Sequence, residues 1–358
     1  MRLLEDLFDR LRPKIEQGPL GRAKPLFDAI NNFFLTPKSS APCAPHVRDP
    51  LDLKRYMTMV ILALVPTLAA GVYLFGLRVL VVVLVSYMVG GTIEVVIACI
   101  RKEEINEGFF VTGMIFPLIL PPGVPLWMVA LGIAAGVIIG KEIFGGTGRN
   151  PFNAALVGRC ILTLAYSKQL SKLFLEPASG WPGRLMTYQV DAISSATPLS
   201  MAKKGILEPI ANLFWGNVSG SIGETSAALI IAGGIFLVLV GVVNWRTIIS
   251  VLGSFAALGL LLGGLFPAHF SYPVGWHMLA GGLLFGTVFM ATDPVTGPIT
   301  NGGKVVYGIL IGAIVLLIRN LTVYMEGVTF AILLGNIVAP TIDAVVVRWR
   351  VRRLAYER

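Results

Sequence analysis

From Tyr56 to Val347 the chain is a succession of apolar runs separated by short breaks rich in glycine, proline and basic residues. A bilayer core of about 30 Å takes about 20 apolar residues in a helix, and every backbone polar group inside it must be paired within the protein. That pattern predicts an all-α polytopic membrane protein. Ten spans are expected, near 56–75, 79–100, 109–121, 125–143, 151–167, 226–243, 247–266, 276–291, 304–318 and 327–347. Composition agrees: only 14% of residues are charged, against roughly 25% in an average soluble domain. An ordinary soluble enzyme is thereby excluded. The 40 glycines suit membrane helices, which use glycine where backbones approach closely and where helices break.

Outside the spans lie an N-terminal segment (1–55), a polar loop (168–225) and a basic tail (348–358). No apolar run precedes Tyr56, so no cleavable signal peptide is expected. Leu3, Leu4, Leu7, Phe8 and Leu11 have helical spacing among charges, which fits an amphipathic helix on a membrane surface or a solvated helix equally well. The net charge of +9 becomes a topology signal once distributed. Twenty-one Lys/Arg fall on one face and seven on the other, with Arg159 inside a span. Under the positive-inside rule, both termini are expected in the cytoplasm and the 168–225 loop outside.

Two halves, 56–167 and 226–347, share a pattern. Gly113-Met-Ile-Phe-Pro runs to Pro121-Pro122-Gly123, and Gly286-Thr-Val-Phe-Met runs to Asp293-Pro294. Each short span stops at a break and a glycine-rich helix follows. Five spans per half forces the second half to enter the membrane inverted, which is the inverted-repeat plan with broken helices meeting near the midplane.

Several runs carry chemistry. The polar loop contains Asp191-Ala-Ile-Ser194-Ser195-Ala196-Thr197, in which small residues leave the threonine hydroxyl accessible. This run resembles the flavinylation motif Asp-x-x-Ser/Thr-Gly-Ala-Thr, with Ser195 where glycine is usual; glycine takes positive φ more readily than serine. His46-Val-Arg-Asp-Pro-Leu-Asp-Leu-Lys-Arg-Tyr-Met57, Lys141-Glu-Ile-Phe-Gly-Gly-Thr-Gly-Arg-Asn-Pro-Phe-Asn-Ala-Ala-Leu156 and Phe289-Met-Ala-Thr-Asp-Pro-Val-Thr-Gly-Pro-Ile-Thr-Asn301 extend the resemblance over almost the whole chain. Together they are similar to the B subunits of the sodium-translocating NADH:quinone oxidoreductase of the bacterial inner membrane. The D subunit of the Rnf ferredoxin:NAD complex is a close relative, and the long N-terminal segment favours the former.

The resemblance implies a fold like the urea and ammonium channels, covalent FMN joined by a phosphoester to Thr197, and non-covalent riboflavin toward the cytoplasmic face. Asn150 and Asn153 match the riboflavin-contacting asparagines, with Gly145 and Gly146 beside them. Read without the family, the same run is a tight turn capped by asparagine before a helix. Gly90 and Gly91 match a glycine pair implicated in quinone binding, although glycine pairs in membranes also serve helix packing. Glu94 lies one turn further on. An ionisable residue there is costly in lipid and is expected to face protein, water or an ion.

Asp293, Glu326 and Asp343 match acids implicated in sodium handling, and carboxylate oxygens suit a hard cation. A helix cap for Asp293 and a salt bridge to the Arg348–Arg353 tail for Asp343 are the alternatives. Phe116, Phe285 and Phe289 are candidates for a hydrophobic constriction between the halves, or for ordinary packing. The implied partners are the remaining subunits, among them a second covalent-FMN subunit and an NADH-oxidising FAD/iron–sulfur subunit, together with a flavin transferase, quinone and Na+. Electrons would pass from the outer flavin inward to riboflavin and quinone.

Cys43, Cys99 and Cys160 are too few and too scattered for an iron–sulfur cluster. His46, His269 and His277 have no paired-helix spacing for haem or zinc, so no metal site is expected. No dinucleotide fingerprint occurs in a βαβ setting, which leaves NADH to a partner. Two other readings stand beside this one. One is an Rnf-type subunit that reduces no quinone; the other is a channel of the same fold that has lost its flavin.

Overall fold

The computed structural model describes residues 53–103, 108–178, 196–267, 273–322 and 327–356. The N-terminal amphipathic segment, Asp191, Ser194, Ser195, His269 and Glu326 lie outside the described residues. Ten principal helices run through the rest: α1 (Leu53–Phe75), α2 (Arg78–Arg101), α3 (Gly108–Leu118), α4 (Leu126–Gly140), α5 (Ala154–Ala165), α6 (Ala227–Leu239), α7 (Trp245–Leu265), α8 (Val274–Leu279), α9 (Asn301–Leu321) and α10 (Val328–Tyr356). Among the described residues six segments, corresponding to α1, α2, α4, α7, α9 and α10, are long and apolar enough to cross a membrane. Helices α3, α5 and α6 are shorter apolar helices of 11, 12 and 13 residues.

The helices show one inward stripe and a broad apolar outer face, as lipid-facing helices should. On α2 the buried residues Ser86, Gly90, Glu94 and Ala98 recur every fourth position, while Leu84, Met88 and Ile100 are exposed. On α7 the same spacing buries Thr247, Val251, Phe255 and Gly259, and Leu260, Leu261 and Leu265 face outward. Small residues set the close helix pairs. A Cβ on Gly136 of α4 would overlap the Ala154 carbonyl at the start of α5, and one on Gly308 of α9 would lie 2.6 Å from Ser250 Cβ on α7. Such approaches give packing attraction where lipid tails are as apolar as the helices themselves.

Three segments depart from plain spans. Helix α3 is only about 16 Å long at 1.5 Å per residue and ends at Pro117-Leu118 before the Pro121-Pro122 turn. The expected 276–291 span is broken into α8, a short turn at Leu283–Phe285 and a π turn at Gly286–Met290. Gly281, at φ +67°, makes the break, and the π turn is closed by the Ala291 N–H donating to the Gly286 carbonyl at 2.7 Å. Helix α10 continues beyond the expected span through the arginine-rich stretch to Tyr356.

The 168–225 loop is also not wholly external to the helical body. Ser221 and Ile222 are fully buried. The N–H groups of Ile222 and Gly223 donate to the carbonyls of Leu120 and Leu118 at 3.0 and 2.7 Å. These bonds satisfy the carbonyls left orphaned where α3 stops. The loop thus completes the broken helix from the other side.

Candidate functional site

The turn before α5 and the segment around the π turn border an open pocket enclosing about 750 Å3, its mouth included. The first half contributes Tyr56, Lys141, Thr147, Asn150 and Asn153, and the second contributes Val288, Phe289, Asp293 and Pro294. Asn153 and Asp293, 140 positions apart in sequence, are neighbours here. Pockets between membrane helices with a few convergent polar groups are the usual form of a small-molecule site.

The Lys141–Asn153 stretch owes its shape to glycine. Gly145, Gly146 and Gly148 have φ of +107°, +84° and +91°, a region costly for residues with a Cβ. They shape the turn, and the neighbouring Thr147, Asn150 and Asn153 line the pocket. Asn150 accepts from Gly148 N at 3.2 Å and donates to the Phe152 carbonyl at 2.9 Å. Asn153 is the N-cap of α5, accepting from Ala155 N at 3.1 Å and Leu156 N at 3.4 Å. Its amide donates to Asp293 Oδ2 at 3.5 Å. The asparagine-capped turn and a pocket-lining position are thus both present. Each amide retains a second N–H beyond these bonds.

Asp293 sits at the break after the π turn. Its carboxylate accepts from Val295 N at 3.0 Å and Thr296 Oγ1 at 3.1 Å, so it also caps the following turn. Glu94 reaches the same region from α2. It is buried and paired with the equally buried Lys141 at 2.5 Å, with Thr147 Oγ1 at 3.4 Å from the same oxygen. Its second oxygen, Oε2, is buried without a hydrogen-bond partner among the described residues. Beside them Arg101 pairs with Glu142 at 3.1 Å. The charge count expects Lys141 in a solvated loop, and the structure buries it.

The other expected residues are placed as follows. Gly90 and Gly91 pack on the Phe109 ring, 2.7 and 3.2 Å from where a Cβ would be, and they do not line the pocket. Asp343 of α10 accepts from the Ile299 and Thr300 N–H groups at 2.7 and 3.1 Å and from the Thr300 hydroxyl. It thereby anchors the start of α9. Phe285 and Phe289 are stacked at a tilt with centroids 5.0 Å apart, and Phe289 lines the pocket. Phe116 is fully buried against Gly132 and Gly158, consistent with packing.

At the far end of the body Thr197 precedes the short helix Pro198–Ala202. Its hydroxyl makes no capping bond. A smaller pocket lies there, lined by Thr197, Pro198, Ser219, Glu224 and Gly281. Beneath it Arg159 pairs with Glu224 at 2.9 Å, both buried. Arg319 lies close by, buried, with Nη1 donating to the His277 carbonyl at 2.7 Å. Its Nε and Nη2 have no hydrogen-bond partner among the described residues. In the sequence Arg159 is a charge inside a span and Arg319 counts with the outer face. Neither position signals a cluster with Glu224.

Apolar helices with broken segments beside a partly polar pocket define a polytopic membrane protein. The chain belongs to the NQR2, RnfD, RnfE family, whose model matches residues 41–352. It is 37% identical to the B subunit of the Na(+)-translocating NADH-quinone reductase of Pseudomonas aeruginosa strain PAO1, over 98% of both chains. The corresponding subunit of Ectopseudomonas mendocina is 39% identical over 92% of both. That of Klebsiella pneumoniae strain 342 is 37% identical over 98% of both.

Proposed function

We propose that this chain is the membrane-embedded B subunit of a sodium-translocating NADH-quinone reductase, active within its complex. The single observation that carries the reading beyond relatedness is the pocket at which Asn150 and Asn153 of the first half meet Phe289 and Asp293 of the second. In this reading the halves are inverted repeats, both termini are cytoplasmic, Thr197 lies outside and the pocket opens inward.

The residues present fit the implied flavins. When bound, flavins supply the ring chemistry that accepts and passes on reducing equivalents. Riboflavin would be held in the pocket by the remaining N–H groups of Asn150 and Asn153, against the Phe289 ring. FMN would be held through the Thr197 hydroxyl, which makes no capping bond to the helix that follows it. The buried arginines Arg159 and Arg319 near Thr197 support a phosphoester there. Na+ would meet the carboxylates of Glu94 and Asp293, with Asp343 and Glu326 further acids of the path. Quinone would approach α2 at Gly90-Gly91. NADH would be oxidised by a partner subunit.

The reading is tested at Thr197. Mass spectrometry of the 168–225 peptides should show an FMN adduct on Thr197 when the chain is made in a host with the flavin transferase. Thr197→Ala should abolish flavin fluorescence of the chain in denaturing gels. An unmodified Thr197 in such a host would instead support a channel that has lost its flavin.

A further inference from the structure

Among the described residues, Lys141 pairs with Glu94 and lines the pocket with Asp293, while Glu142 pairs with Arg101 and Arg149 with Glu103 beside them. Glu142 and Arg101 neutralise each other, and Arg101 also donates to the Glu142 carbonyl. One ammonium then remains for two carboxylates that belong to different halves of the chain. Lys141 holds Glu94 directly and lines the same pocket as Asp293. Glu94 Oε2 is buried and without a hydrogen bond among the described residues. A buried anionic oxygen without a donor is expensive and invites a cation.

We propose that Lys141 is a tethered ammonium that occupies the Glu94 carboxylate until a monovalent metal cation displaces it toward Asp293. The exchange conserves charge at Glu94, so a cation can enter without leaving a bare carboxylate in a low-dielectric interior. In the occupied arrangement both carboxylates have a partner, the metal ion at Glu94 and Lys141 at Asp293. The excess of one negative charge disappears. The lysine stem suits this role, since it is a flexible four-carbon arm carrying a compact point charge. Because Glu94 lies on α2 and Asp293 at the break between α8 and α9, the swing would transfer the ammonium from one half of the molecule to the other.

This role rests on the sodium reading above, and the test separates the two. In the intact complex in proteoliposomes, the half-saturating NaCl concentration for quinone reduction is measured at constant ionic strength with choline chloride. Lys141→Met removes the competitor. The half-saturating concentration should fall by about tenfold or more, the factor implied by the low end of measured couplings between close charge pairs. Lys141→Arg installs a competitor that grips carboxylates with two parallel bonds, and the value should rise. A merely structural lysine would move both variants in the same direction or neither, and either result overturns the proposal. Should the methionine variant fail to assemble, an arginine variant with an unchanged Na+ requirement overturns it alone. A wild-type complex indifferent to Na+ overturns the sodium reading itself, before any variant is made.

Discussion

Two sets of buried charged side chains lie on different segments of the helical body. At the pocket Glu94 pairs with Lys141, whereas beneath Thr197 Glu224 pairs with Arg159. Both clusters sit where a helix is interrupted and the chain folds back. At the pocket the π turn is followed by Asp293, and the Gly145–Gly148 turn carries Thr147, both of which line it. At the other, Gly281 and Gly282 leave room for Arg319 and Glu224: a Cβ on Gly281 would lie 3.2 Å from Arg319 Nη2, and one on Gly282 would lie 2.5 Å from Glu224 Oε1. One architectural device, the broken helix, thus stands beside both sets of buried charged side chains.

Removing one partner of a buried pair should upset this balance most. Glu224→Ala should cost about 3–5 kcal/mol, because the buried Arg159 loses its carboxylate partner. Loss of assembled complex in thermal melts of the detergent-solubilised protein would report it. The Arg159→Met/Glu224→Met double variant should recover much of the loss, and failure to do so would mean that the cluster does more than neutralise itself.

Next in size is Asp343→Asn, which weakens charge-assisted bonds to the start of α9 and should lower stability by about 1.5–3 kcal/mol. Since Asp343 lies apart from the pocket lining, the Na+ requirement should move less than in Lys141→Met. An equal or larger shift would place Asp343 in the cation path. Asn153→Ala removes a helix cap worth about 1 kcal/mol along with a pocket amide. It should reduce riboflavin recovered from the purified complex by extraction while leaving the Thr197 adduct intact. Thr197→Ala should be the mildest for the fold, within about 0.5 kcal/mol, because its hydroxyl caps nothing. A large loss of stability there would show that the threonine is structural.

The ten apolar segments were legible because bilayer thickness sets their length and because hydropathy is a local property. Nine of them carry a helix over most of the expected range. The exception, 276–291, is broken at Gly281, where apolar composition concealed a change of backbone direction. The turn glycines and the Asn153 cap were likewise legible, being short-range features of the chain. Lys141 and Arg319 were not. A basic residue beside a predicted span end looks solvated, and whether it snorkels outward or is held inward depends on a group far away in the chain, the Glu94 carboxylate for Lys141 and the His277 carbonyl for Arg319.

Local chemistry alone shows that the chain lives in a membrane, where it breaks, and which family it resembles. Each of these follows from apolarity, from glycine and proline, or from runs of consecutive residues. Which ionised groups share a partner was decided by the tertiary structure: Glu94 with Lys141, Arg159 with Glu224, Asp293 with Asn153. In a low-dielectric interior a charge is tolerable only beside its complement, and that proximity is created by helix packing between distant segments.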